Sequence, residues 1–144
     1  MIDQLRRDCI TRPDLFHFFG AIHPEKLDVW LRERKLVIPH DLREFWCETG
    51  GGDLFESETV LGPFGPPHLG DDVDSVNRGQ WQNGMPADWL VFHTGLNFTV
   101  VLMSLGEYAN VRADSYEIQE TFRSLEDWYR CSIRKEYAPR YGMP

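Results

Sequence analysis

No lysine or arginine occurs between Arg43 and Arg78, an interval that holds Glu44, Glu48, Asp53, Glu56, Glu58, Asp71, Asp72 and Asp74. Basic residues gather instead near the N-terminus and in the last third, and the 144-residue chain carries a formal charge of −8. Phosphate contacts require a basic surface, so this balance argues against nucleic acid as a direct ligand. No run approaches the ~18 apolar residues of a membrane helix. The opening "MIDQLRRDCITRPD" also lacks the apolar middle of a secretory signal. The chain therefore reads as soluble and cytoplasmic. Cys9, Cys47 and Cys131 are odd in number and form no CxxC. That argues against a disulfide framework or a zinc knuckle and predicts reduced, mostly buried thiols.

Motifs that carry chemistry are equally scarce. His17, His23, His40, His68 and His93 show no HxxxH, HxH or HExxH spacing, so no metal site is expected. There is no G-x-S-x-G. Cys47 stands beside Trp46 and Glu48 near a helix C-terminus, where charge and dipole both disfavour a thiolate. "DDVDSVNRG" offers Asp72 and Asp74 at the first and third positions of a calcium loop, but Val76 occupies the next oxygen position. No catalytic set and no cofactor is expected.

What the sequence does hold is a series of bounded elements. Ile2, Leu5 and Cys9 have helical spacing. Pro24 suits the first position of a second helix with the stripe Leu27, Trp30 and Leu31, ending near Lys35. Phe16, Phe18 and Phe19 read as core or as packing onto these helices. In "IPHDLREFWCETGGGDLF", Asp41 and Glu44 have capping-box spacing, and Leu42, Phe45 and Trp46 form one apolar face. The glycines follow a helix instead of opening one, and acids surround them. They stop the helix and feed a strand; they do not cradle a phosphate.

A strand is expected at Glu58 to Leu61 and a helical turn near Val73 to Val76, within a loop-rich middle. "DWLVFH", "LNFTVVLMS" and "EYANVRA" then predict three antiparallel strands, with "SYEIQ" adding a fourth. A last helix starts at Ser124, capped toward Asp127, and buries Leu125, Trp128, Tyr129 and Ile133. The fold class is α+β: N-terminal helices, an antiparallel meander sheet and a closing C-terminal helix, in one domain of residues 1–144.

In their order, "IPHDLREFW…TGGGDLF…LGPFG", "WLVFHTGLNFTVVLM" and "FRSLEDWYR" resemble the SUKH superfamily of SMI/KNR-type immunity proteins. The matching positions are Pro39, Asp41, Phe45, Trp46, Gly50 and Gly51, then Phe122, Ser124, Leu125 and Trp128. The resemblance spans about residues 24–133 and leaves 1–23 as an N-terminal extension. It implies a SUKH-like fold and a cytoplasmic immunity protein that neutralises a cognate toxin domain by binding it. It carries over no catalytic residues.

The acidic interval supplies a physical motive, because nucleases present positive clefts to which an acidic surface is steered. Glu56, Glu58, Asp71, Asp72 and Asp74 are the expected contact or steering residues. Trp81, flanked by polar and glycine residues, is a candidate anchor. Two alternatives stay open: a regulatory module with a non-toxin protein partner, and a small hydrolase. Neither the oligomeric state nor the binding face is legible.

Overall fold

The β-rich runs of the second half pair in sequence order with three short strands from the first half, giving a seven-stranded, wholly antiparallel meander. The computed structural model describes residues 2–144. Strands β1 (Phe16–Phe18), β2 (Gly52–Leu54), β3 (Glu58–Val60), β4 (Trp89–Thr94), β5 (Phe98–Leu102), β6 (Glu107–Val111) and β7 (Ile118–Phe122) lie side by side in that order. Strand β1 was not foreseen. Its flanking Pro13 and Pro24 mask a segment too short to show alternation.

Helices α1 (Asp3–Thr11), α2 (Pro24–Arg34) and α3 (His40–Thr49) precede most of the sheet. Pro24 does open α2, with His23 Nδ1 accepting from the Glu25 N–H at 3.2 Å, and Lys35 in the left-handed region closes it. In α3 the apolar face Leu42, Phe45 and Trp46 is buried, and Gly50 ends the helix at φ 73°. Only glycine fits there, because a Cβ would lie 2.2 Å from the Gly20 carbonyl oxygen.

The expected Asp41–Glu44 box does not form. The N-cap is Pro39, two residues before Asp41, and it provides no side-chain cap. Glu44 pairs with His40 at 2.8 Å. Asp41 is drawn into the tertiary structure, accepting from the Tyr108 hydroxyl of β6 and, at 2.7 Å, from the Leu125 N–H.

The helical turn foreseen at Val73 extends to Gln82 as α4 (Val73–Gln82) and carries Trp81 with it. Its apolar content is low, so packing and a capped start sustain it more than periodicity does. Helix α5 (Leu125–Trp128) starts as anticipated, with Ser124 Oγ accepting from the Asp127 N–H at 3.0 Å. It then widens into a π-helical stretch, Tyr129–Arg134. Leu125, Trp128, Tyr129 and Ile133 are all buried. The stretch is tied to α1 through Asp8, which accepts from Tyr129 Oη at 2.6 Å and Arg134 Nε at 2.8 Å. The thiols correct one expectation: Cys9 and Cys47 are only partly buried and Cys131 is exposed.

A polar chain crosses the buried face of the sheet. Both Glu58 oxygens accept from the Leu96 N–H, at 3.1 and 3.0 Å, and Glu58 Oε2 lies 3.2 Å from His93 Nε2. His93 Nδ1 is 2.9 Å from Thr99 Oγ1, whose own proton goes to Asn110 Oδ1 at 2.8 Å. Asn110 in turn donates to Ser132 Oγ at 3.1 Å. Because the Thr99 proton is already committed, His93 Nδ1 must be the donor in its bond. Trp128 packs edge-on against both Phe92 and His93, with ring centres 5.0 Å apart in each case.

Candidate protein-interaction surface

The opposite face of the sheet is closed in its middle and open at one end. Val91, Val100 and Ala109 are fully buried there. Helix α4 packs against β4: Asn77 Nδ2 donates to the Val91 carbonyl at 2.9 Å, and Asn77 Oδ1 accepts from its N–H at 2.7 Å. At the open end, strand register aligns one residue from every strand into a single row. From β1 to β7 it reads His17, Asp53, Thr59, Thr94, Phe98, Val111 and Ile118. Cross-strand partners share a face, so the row is a strip across the sheet, polar at the β1 end and apolar at the β7 end. Asp53 faces this strip because its neighbours Gly52 and Leu54 take the buried parity.

Asp53 accepts from Thr59 Oγ1 at 3.0 Å. Asp71 stands close by, and burial, then the negative charges of Asp53 and Asp72, raise its carboxyl above the usual carboxylate range. Neither Asp53 nor Asp71 has a Lys or Arg ion-pair partner among the described residues. The two therefore present unneutralised charge at the polar end of the strip.

The six residues singled out from the sequence are not brought together. Glu58 is 0% exposed and bound within the buried polar chain, because its parity on β3 matches Val60 and its carboxylate turns inward under the β4–β5 hairpin. Asp72 is also buried. It is the N-cap of α4, accepting from the Ser75 N–H at 2.9 Å. Burial opposes its ionisation, yet the Ser75 hydrogen bonds outweigh this and hold its carboxyl low. Asp74 is spent in a two-pronged bond with Arg34, at 2.7 and 2.8 Å. Glu56 is exposed in the β2–β3 turn at φ 67°. Trp81 is 36% exposed and its Nε1 donates to the Trp89 carbonyl at 3.0 Å. Asp71 feels the charges of Asp72, its buried chain neighbour, and of Asp53, which was not among the six. Reading the parity of "GDL" would have found it.

Among the described residues no group of three or more His, Cys, Asp or Glu is placed to hold a metal ion. Burial, and next the Asp8 carboxylate, push the Cys9 thiol up to about 11, and burial also raises Cys47. Both changes disfavour a nucleophilic thiolate. No helix among the described residues is long and apolar enough to cross a membrane.

The residues of the sequence signature act mainly as architecture. Trp46 donates from Nε1 to the Leu61 carbonyl at 2.9 Å, Phe45 and Trp128 fill the core, and Pro39 precedes α3. Gly51 at φ 86° would place a Cβ 2.7 Å from the Val60 carbonyl oxygen, so it too must lack a side chain.

Comparison with known proteins matches this architecture. No curated protein matches the chain. A solved structure, described as the crystal structure of a protein from Pseudomonas syringae pv. tomato, superposes with a TM-score of 0.57 at 15% identity, covering 81% of this chain and 85% of that one. That likeness concerns the fold alone. A family model described as SMI1 / KNR4 family (SUKH-1) matches residues 21–131, from the end of the β1 segment into the closing helix. The chain therefore belongs to the SMI1 / KNR4 family (SUKH-1).

Proposed function

We propose that this chain is a cytoplasmic immunity protein that binds and neutralises a cognate toxin domain, acting by occupying a surface and not by turnover. The observation that carries this reading is the unneutralised Asp53–Asp71 pair at one end of an open strip of sheet, in a family member with a net charge of −8. A nuclease or another toxin with a cationic cleft is the matching partner. Opposite charge would steer the encounter, and a seated sheet face would block the substrate's entry.

Glu56 and Asp71 remain the proposed contact residues from the acidic interval, now joined by Asp53, and the exposed edge of Trp81 is a candidate anchor. Glu58 and Asp72 act indirectly, by holding the hairpin and α4 in place. Asp74 contributes to the local field while bound to Arg34.

Co-expression with the C-terminal domain of a neighbouring reading frame, tested as the toxin, should restore growth and give a complex that co-purifies. In that complex, Asp53→Asn with Asp71→Asn should slow association about tenfold at low salt and flatten its salt dependence, with little change in dissociation. Growth arrest despite soluble co-expression would reject the immunity reading. Unchanged association kinetics would reject the acidic pair as its steering element.

A further inference from the structure

Strand β7 forms one edge of the sheet, and its outer side is bare. Among the described residues none of its backbone groups bonds to anything beyond β6, and Ile118, Gln119, Glu120 and Thr121 are all exposed. The opposite edge, β1, is only three residues long. An antiparallel strand turns every second N–H and C=O outward, so β7 offers a template for another strand.

Two open clefts flank this edge, one on each face of the sheet. The first, about 490 Å³, is lined by Phe98, Val111 and the closed Arg112–Asp114 pair. The second, about 420 Å³, is lined by Asn110, Glu120, Ser132 and Lys135. Gln119 lines both. Successive side chains of an added strand point to opposite faces, so they would enter the two clefts by turns. One cleft adjoins apolar surface, with Ile118 43% exposed and Phe98 partly so. The other holds Glu120, which has no ion-pair partner among the described residues, whereas its neighbour Glu136 is closed on Arg140.

We infer that β7 receives an extended strand of the protein partner in which basic residues alternate with aliphatic ones. The basic residues meet Glu120, and the aliphatic ones meet Phe98 and Ile118. This rests on the reading of the chain as a protein-binding immunity protein and adds a second contact to the one at Asp53 and Asp71. Ile118 is the far end of the same strip, so one partner can span both. A second copy of this chain is a poor occupant. Two-fold pairing about Glu120 would set that carboxylate against its twin, and like charges directly opposite are unfavourable.

The probe is a short synthetic peptide alternating lysine and valine, added to the isotope-labelled full chain. Amide exchange within residues 118–122 should slow on addition of the peptide. Protection should be lost when alternate peptide nitrogens are methylated, which removes donors and keeps the charge. Glu120→Gln, an exposed change that leaves the fold intact, should weaken binding about threefold. Three results would overturn the inference: unchanged exchange in β7, equal binding of the methylated peptide, or protection that appears without peptide as protein concentration rises. Should β7 stay silent while a toxin domain is still neutralised, the strand site falls and the immunity reading stands. Should β7 pair with the peptide while no toxin domain is neutralised, the reverse holds.

Discussion

Two acid–histidine neighbours stand on opposite faces of the same sheet. Glu58 and His93 are sealed inside, 3.2 Å apart with no exposure. Asp53 and His17 are cross-strand partners on the open strip, and His17 is exposed. The same chemistry does different work in the two settings. Inside, the pair is tolerated because Leu96 donates to Glu58 and a chain through Thr99, Asn110 and Ser132 supports His93. Outside, water supplies that service, and the charge is left free to act on a partner. Carboxylates closely spaced in sequence thus divide into those that build the sheet and those available to a visitor.

Loss of the inner carboxylate carries the largest expected effect. Glu58→Ala should cost roughly 3–5 kcal/mol in urea unfolding, since it strands His93 and the Leu96 N–H. Glu58→Gln should cost under about 2 kcal/mol, because its amide can donate to His93 Nε2 and still accept from Leu96. Equal losses for the two variants would show that proton supply to His93 is not what matters.

Asn77→Ala comes next, with an expected loss of about 2–3 kcal/mol, because it leaves both backbone groups of Val91 unpaired. A loss below about 0.5 kcal/mol would mean that water replaces the amide there.

Asp72→Ala should cost about 1 kcal/mol near neutral pH through the lost cap of α4. The folded Asp72 carboxyl is held low, so its contribution is present above the unfolded pKa and disappears as pH falls through the folded one. The gap between wild type and Asp72→Ala should start to shrink near the ordinary carboxylate range, roughly pH 4, and close only below the lowered folded pKa. A gap that persists in acid would contradict the cap.

The smallest effect belongs to the outer pair. Asp53→Asn with Asp71→Asn should leave stability within about 0.5 kcal/mol of wild type. Any change near neutrality should be a gain, because the raised Asp71 carboxyl marks an ionised form that the fold disfavours. That gain should fade in acid, where Asp71 is protonated. A clear loss would place the pair among the structural residues.

Most of the architecture could be read from the chain because its signals are local. Pro24, Gly50 and Ser124 mark element ends by their own chemistry, and the glycine-separated β runs announce a meander. Elements stabilised from a distance escaped: β1 is a strand only because β2 pairs with it, and α4 runs on because Asn77 plugs into β4. The candidate surface was less legible for the same reason. An interval without Lys or Arg says nothing about which acids face inward, and parity decides that for Glu58 and Asp53. Ion pairing decides it for Asp74, whose partner Arg34 lies 40 residues away.

Asp41 draws together a helix, a strand and the start of the closing helix, with partners 67 and 84 residues downstream. During synthesis this carboxylate can meet the Tyr108 hydroxyl first, but its last partner arrives only when Leu125 has emerged, so the early helices lack their full fastening until the chain is nearly finished. Truncation anywhere before Leu125 should yield an incompletely locked, degradation-prone fragment in place of a smaller working domain. Separately expressed halves should gain order only on meeting each other.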